Sequence, residues 1–209
     1  MTDDHHEQDA AAPVVTLFES YGSGAAQVGR ALAERLGVEF FDQKYSSAQL
    51  EDAEDASAGG WLAKLLRTIA ASGAELDSTR YRLYDAPDDE RVAHNNAAMW
   101  EMVTHGGVVL GRNASVILAS RPNVFRVKLD GPVEERVARA AREAGIPLEQ
   151  ARRRQEREDR IRAEMSLRLY GWDPRQTGGF DLVLNTGTYG LDTCVELILH
   201  CQRVAGRGR

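Results

Sequence analysis

Residues 14–42 read VVTLFESYGSGAAQVGRALAERLGVEFFD, and the fold class is predicted first from their pattern. The apolar, β-branched run Val14–Phe18 predicts a buried strand, and Glu19–Gly24 predicts a tight glycine turn. Apolar side chains then recur at helical spacing over Ala25–Leu36, and a glycine follows at the place of a left-handed C-cap. A second short strand is predicted over Val38–Phe41. The pattern is typical of a strand–helix–strand unit.

Strands and helices continue to alternate along the rest of the chain. Further strands are predicted over Val108–Leu110, Val124–Leu129 and Asp181–Asn185. Further helices are predicted over about Asp89–His105, over Pro132–Ala144, from Pro147 onward, and over Leu191–Val204. This alternation predicts a three-layer α/β fold, in which a parallel sheet of about five strands carries helices on both faces.

The chain is expected to form one domain, because 209 residues with 43% hydrophobic content suffice for a single core. The domain is assigned to residues 13–209, after a polar and acidic disordered tail at residues 1–12. Residues 43–98 carry no strong strand pattern and predict a helical insertion, with an amphipathic helix at Trp61–Ile69. The arginine-rich residues 147–175 are expected to form a lid.

Composition and charge narrow the range of partners. The formal net charge of −6 argues against binding to nucleic acid or to an anionic membrane, which both require a positive face. No apolar run approaches the ~20 residues of a membrane span, so a cytoplasmic protein with a small-molecule ligand is expected. Cys194 and Cys201 lie seven positions apart in one predicted helix, too far for a disulfide, and are interpreted as core residues.

Four positions at or just past the predicted strand ends indicate where a ligand binds. They are Gly24, Asp42, Arg112 and Asp130. In an open α/β sheet, ligands bind beyond the carboxyl ends of the strands. These residues therefore predict a ligand crevice at that edge, where Asp130 either holds metal-bound water or caps the following helix.

The glycine turn predicts an anion site, because backbone N–H groups and the helix dipole both point at a ligand there. A purely structural tight turn is the alternative. The dinucleotide fingerprint requires a third glycine where Gln27 stands. The phosphate-binding P-loop requires Gly, Lys and Ser or Thr where Glu19, Ala25 and Ala26 stand. The turn keeps the shape of a phosphate loop without its lysine or its metal-binding hydroxyl.

The positive charge of the chain is concentrated between Val133 and Arg168. This segment contains ten arginines and eight acidic residues. Planar guanidinium groups suit phosphate recognition and the charge that develops during phosphoryl transfer. The alternative is a solvated helix in which the arginines pair with neighbouring carboxylates. Together with the glycine turn and Arg112, the pattern favours a lid. Tyr170 and Trp172 are interpreted as packing residues rather than as a stacking platform for a base.

Several stretches carry a resemblance to a known family. They are the first strand with Tyr21–Gly24, then Val28–Gly37, Phe40–Asp42, Val108–Asn113, Arg121–Val127, Pro132–Arg136, Arg157–Arg160 and Phe180–Thr186. In this order they resemble bacterial cytidylate kinase-like proteins. The resemblance covers about three-quarters of the chain and has no anchor between residue 43 and roughly residue 98.

This resemblance implies the P-loop nucleoside monophosphate kinase fold, with ATP and Mg²⁺ as cofactors and a pyrimidine nucleoside monophosphate as acceptor. ATP would bind along the turn, at Tyr21, Gly22, Ser23, Gly24, Ala25 and Ala26. The acceptor nucleotide would lie against Asp42, Arg112 and Asp159. The catalytic arginines of the lid would be Arg157, Arg160 and Arg162.

The chain departs from this family at the turn. Members usually open it with an Arg-Glu pair and carry a basic residue after the glycines, whereas this chain has Glu19–Ser20 and Ala25–Ala26. Three functions stay open: an ATP-dependent kinase of CMP, dCMP or a similar acceptor, a catalytically degenerate nucleotide-binding or regulatory protein, and a dinucleotide-binding oxidoreductase. Glu19 favours the second. The missing third glycine and the arginine-rich lid disfavour the third.

Overall fold

The computed structural model describes residues 12–42, 88–111 and 113–206. The strands are β1 (Val14–Glu19), β2 (Phe40–Phe41), β3 (Gly107–Leu110), β4 (Val124–Asp130) and β5 (Leu182–Asn185). The helices are α1 (Ala25–Leu36), α2 (Asp88–Met102), α3 (Ala114–Ile117), α4 (Val133–Ala144), α5 (Leu148–Tyr170) and α6 (Leu191–Gly206). A 3₁₀ turn covers Thr177–Gly179.

The five strands form one parallel sheet in the order β2-β3-β1-β4-β5. In the register of the central strand, Leu17 of β1 lies beside Leu110 of β3 and Val127 of β4. Because all five strands are parallel, their carboxyl ends lie along one edge of the sheet. The loop that follows the central strand β1 lies at the middle of this edge. The predicted α/β class and sheet are confirmed.

Alternate residues of the central strands face two separate cores. Val15 and Leu17 belong to a core shared with α1 and α6, whereas Val14 belongs to one shared with α2 and α3. Continuous apolar strands are expected when both faces of a parallel sheet are covered. A third, smaller cluster joins α4 to α5 through Val137 and Ala151. Helix α5 is thus fastened to the domain largely through α4 and through polar contacts with the loop after β1.

Two glycines bound helix α1 as the sequence predicts. Gly24 and Gly37 both adopt left-handed backbone angles, with φ of 81° and 65°. A third glycine, Gly29, allows the helix to approach the sheet, because a Cβ there would lie 2.4 Å from Cε2 of Phe40 and 3.1 Å from Cδ1 of Leu17. The dinucleotide fingerprint places its third glycine at position 27 instead, and no role for Gly29 was predicted from the sequence.

Several element boundaries differ from the predicted ones. The second strand was predicted over residues 38–41 but covers only Phe40–Phe41, because Val38 donates its N–H to the carbonyl of Ala33 and belongs to the end of α1. The short helix α3 was not predicted. Most of the predicted insertion at residues 43–98, including Trp61–Ile69, lies outside the described residues. None of the helices in the described ranges is long and apolar enough to cross a membrane.

Candidate functional site

The glycine turn between β1 and α1 lies in a narrow gap between α4 and α6. Gly22 and Gly24 have φ of 76° and 81°, which favours glycine at both positions. A Cβ on Gly22 would lie 2.2 Å from the carbonyl oxygen of Arg136, and one on Gly24 would lie 2.8 Å from Cδ1 of Leu191. The turn therefore requires both glycines for backbone shape and for space.

Two arginines of α4 hold the carbonyl oxygens of this turn. Nη1 of Arg136 donates to the carbonyl of Tyr21 at 2.8 Å, and its Nε donates to the carbonyl of Gly131 at 2.9 Å. Nη1 of Arg139 donates to the carbonyl of Gly22 at 2.9 Å. With its side chain only 5% exposed, Arg136 is a buried cation below the turn. The carbonyl groups of the turn therefore point toward positively charged side chains.

Helix α5 reaches the turn through Asp159. The N–H of Tyr21 donates to Oδ1 of this carboxylate at 2.8 Å. Its other oxygen accepts from Arg136 at 2.9 Å and from the side chain of Gln155 at 2.8 Å. On the opposite side of Tyr21, the hydroxyl forms a hydrogen bond with Arg154. The predicted lid helix therefore contacts the predicted phosphate turn directly.

A second carboxylate, that of Glu19, lies at the start of α1. It accepts a hydrogen bond from the N–H of Ala25, and Nη2 of Arg162 lies 3.6 Å from its Oε2. The same guanidinium pairs with the buried carboxylate of Glu158 at 3.1 Å. Burial raises the pKa of Glu19 above its usual value, although the positive charge of Arg162 and the Ala25 N–H act in the opposite direction.

Asp130, at the end of β4, is engaged by cations. Its carboxylate accepts from the N–H of Gly131 at 2.9 Å and pairs with Nζ of Lys128 at 3.2 Å. Burial alone would raise the pKa of Asp130, but the Gly131 N–H and the Lys128 ammonium hold it below its usual value. The predicted alternative of a helix cap is wrong, since α4 begins after Pro132 with no side-chain cap.

Comparisons with known proteins show the family of this chain. The sequence pattern of the cytidylate kinase-like family matches residues 14–188. The chain belongs to the cytidylate kinase-like family. The cytidylate kinase of Ignicoccus hospitalis is 30% identical over 185 residues, which cover 88% of this chain and 96% of that protein.

Two further similarities concern differently named proteins. A uronate isomerase of Corynebacterium glutamicum is 30% identical over 146 residues, which are 69% of this chain but 27% of that protein. The chain thus spans about a quarter of the length of that relative. The structure of a gluconokinase from Sinorhizobium meliloti matches with a TM-score of 0.50 at 17% identity, covering 95% of each chain. It shares the three-layer P-loop kinase fold.

The structure brings only some of the predicted site residues to the turn. Among the three lid arginines, Arg162 contacts Glu19, whereas Arg160 pairs with Glu164 on an exposed part of α5, where the two side chains are 59% and 61% exposed. Arg157 is half-buried in the same helix. On the acceptor side, Asp42 accepts from Arg30 at 2.8 Å.

Arg112 lies outside the described residues, and its role stays a prediction. Ser23 is fully buried in the turn, and its Oγ has no hydrogen-bond partner within the described part of the chain. Tyr170 and Trp172 pack as predicted. The Tyr170 hydroxyl accepts from the side chain of Asn95 at 2.7 Å, and the Trp172 ring lies 5.9 Å from that of Phe18.

Two arginines that contact the turn from α4 were not predicted from the sequence, the buried Arg136 and the half-buried Arg139. Arg136 closes one of the stretches that carry the family resemblance, and Arg139 follows it by three positions on the same helix face. This spacing, just past the end of a predicted strand, is a signal that could have placed both near the turn. The signal does not reveal that they bind carbonyl oxygens of the protein rather than a phosphate.

Proposed function

We propose that this protein is a phosphotransferase that moves the γ-phosphoryl group of ATP to a nucleoside monophosphate such as CMP or dCMP in the cytoplasm. One observation carries the proposal: the arginine-rich helix α5 contacts the glycine turn through Asp159 and Arg162, 138 and 143 residues away in sequence. This contact brings the arginine-rich helix next to the predicted phosphate turn, and phosphoryl transfer depends on positioning and on cations near the transferred oxygens.

The acceptor nucleotide is proposed to bind at the carboxyl edge of β2 and β3, against Asp42 and Arg112. Asp42 follows β2 directly, and position 112 follows β3 by two residues. Ligands of open α/β sheets bind beyond the carboxyl ends of the strands, which supports the proposal that both residues contribute to one crevice with the glycine turn. Guanidinium groups bind phosphate with two parallel hydrogen bonds, which suits Arg112 to the acceptor's phosphate.

The side chains at the turn do not fit a magnesium ion held by the protein. Ala26 stands where the P-loop pattern has its metal-binding hydroxyl, and the carboxylate of Asp130 is engaged by Lys128 and Gly131. Within the described ranges, no group of three or more His, Cys, Asp or Glu side chains is arranged to hold a metal. Magnesium is therefore proposed to enter with the phosphates of ATP, which together with water would supply its ligands.

A second function is favoured by the carboxylate of Glu19. Because it accepts the N–H of Ala25, the chain already fills part of the anion site at the start of α1. With neither a lysine nor a hydroxyl at positions 25 and 26, the fold is also suited to a catalytically degenerate nucleotide-binding or regulatory protein.

Binding and turnover distinguish the two functions. Titration calorimetry with CMP and with Mg-ATP measures affinity, and a coupled assay of ADP release measures transfer. The Arg112→Ala variant is expected to bind CMP about tenfold to a hundredfold more weakly, since a charge-assisted hydrogen bond contributes about 1.5–3 kcal/mol. Arg203→Ala, at an exposed position of α6, is the matched control and is expected to bind normally. If both nucleotides bind but no ADP is released, the kinase proposal is refuted and the second function is supported. If Arg112→Ala binds CMP as tightly as the wild type, the proposed role of Arg112 in binding the acceptor is refuted.

A further inference from the structure

Two carboxylates of the chain occupy the backbone N–H groups of its own phosphate turn. The N–H of Tyr21 donates to Asp159 at 2.8 Å, and the N–H of Ala25 donates to Glu19. Backbone N–H groups of the glycine loop and of the first helical turn are the ones that bind phosphate oxygens in turns of this type. A nucleotide phosphate and these two side chains therefore require the same donors.

Both carboxylates also connect the turn to helix α5. Asp159 belongs to this helix, and Glu19 is joined to it through Arg162, which contacts the side chain of Glu19 at 3.6 Å and its carbonyl at 3.4 Å. The side chain of Arg162 is 13% exposed and that of Glu19 is 19% exposed, so solvent screens this pair only in part. Withdrawal of either carboxylate from the turn would loosen the contact between the turn and α5.

The charged groups around Glu19 have both signs. Helix α5 supplies Asp159 and the cation Arg162, which also pairs with Glu158, and α4 supplies Glu143 and the cation Arg136, which pairs with Asp159. Because burial and the neighbouring carboxylates oppose ionisation, the pKa of Glu19 is raised. An arriving phosphate would add more negative charge, so its binding is coupled to protonation or displacement of this side chain.

We propose that Glu19 and Asp159 form an autoinhibitory latch, in which two internal carboxylates stand in the place of nucleotide phosphates and hold α5 closed on the turn. The inference rests on the proposed function in one respect, because it takes a triphosphate as the anion that competes with the latch. When that anion binds, it takes the N–H groups of Tyr21 and Ala25, and Arg162 exchanges a carboxylate for a phosphate oxygen.

The latch is tested with inorganic tripolyphosphate and Mg-ATP, titrated by calorimetry into the full chain. The Glu19→Gln variant keeps the size and an acceptor oxygen but removes the charge, and it is expected to bind both ligands at least about tenfold more tightly than the wild type. Glu149→Gln is the matched control: it removes an exposed carboxylate of α5 that pairs with Arg153, and its affinity should equal that of the wild type. Asp159→Asn is titrated in parallel as a second route to the same effect.

The dependence on pH gives an independent readout. As the pH is lowered, protonation of Glu19, whose pKa is raised by burial, should tighten tripolyphosphate binding in the wild type more than in Glu19→Gln, in which only the ligand and the remaining groups titrate. The latch is overturned if folded Glu19→Gln and Asp159→Asn bind no more tightly than the wild type, or if none of the three binds tripolyphosphate. Tighter binding in the variants without transfer from ATP to CMP would support the latch and reject the proposed kinase activity.

Discussion

Replacement of Arg136 by alanine should destabilise the domain more than any ordinary surface change. Its guanidinium donates to the carbonyls of Tyr21 and Gly131 and to the carboxylate of Asp159, all between 2.8 and 2.9 Å. The side chain is 5% exposed and that of Asp159 is 26% exposed. Arg136→Ala would leave a half-buried carboxylate without its closest cation and two carbonyls without their donor.

The magnitude follows from the state of the partners that remain. Breaking a buried ion pair by removing one member costs about 3–5 kcal/mol. Asp159 is partly solvated and keeps the Tyr21 N–H and the Gln155 side chain, which places the expected loss near the lower limit, at about 3 kcal/mol. For a domain of this size, each kcal/mol lowers the melting temperature by about 2–4 °C, so a decrease of about 6–12 °C is expected.

Urea denaturation followed by circular dichroism measures the free energy of unfolding, and hydrogen exchange reports on the amides of the turn. Arg142→Ala is the matched control on the same helix, because its side chain is exposed and its interaction with the helix end contributes at most about 1 kcal/mol. Arg136→Lys keeps the charge without the planar fork and should recover only part of the loss. Equal losses in Arg136→Ala and Arg142→Ala would refute the assignment of Arg136 as the support of the turn.

Two further substitutions test the lid contact and the packing of the first helix. Arg162→Ala removes the cation that pairs with Glu19 and Glu158, and it should lower the free energy of unfolding by about 3–5 kcal/mol at pH 8. Arg160→Ala is the control, because its ion pair is exposed and should contribute under about 1 kcal/mol. Burial raises the pKa of Glu19, so this carboxyl becomes neutral more readily than an ordinary glutamate when the pH is lowered. The loss of stability in Arg162→Ala should therefore shrink as the pH falls. Chemical denaturation at several pH values measures this, and a loss that does not depend on pH would contradict it. Gly29→Ala should lower the free energy of unfolding by about 1–3 kcal/mol, because the added Cβ would overlap the ring of Phe40. Gly190→Ala is the control, since the added atom there meets nothing within 4 Å. Equal melting temperatures of the two variants would contradict the close approach of α1 to the sheet.

Local rules accounted for much of the fold. Helix α1 begins and ends where the sequence predicts, since Gly24 and Gly37 can adopt the left-handed backbone angles that bound a helix. The buried strands were recognised because parallel strands covered on both faces are continuously apolar. The second strand was predicted two residues too long, because nothing local shows that Val38 donates to Ala33 at the end of the preceding helix.

Local sequence patterns are enough to predict the alternation of elements, the glycine turn and the arginine-rich helix, because each depends on residues within a few positions of one another. Which groups contact the turn depends on the packing of distant segments. Tyr21 and Asp159 are 138 residues apart, and whether their N–H and carboxylate meet depends on how α5 packs against α4. The same holds for Glu19, whose charge looks ordinary in the sequence. Its raised pKa arises from burial beneath a helix that begins more than a hundred residues later, and burial is a property of the folded chain alone.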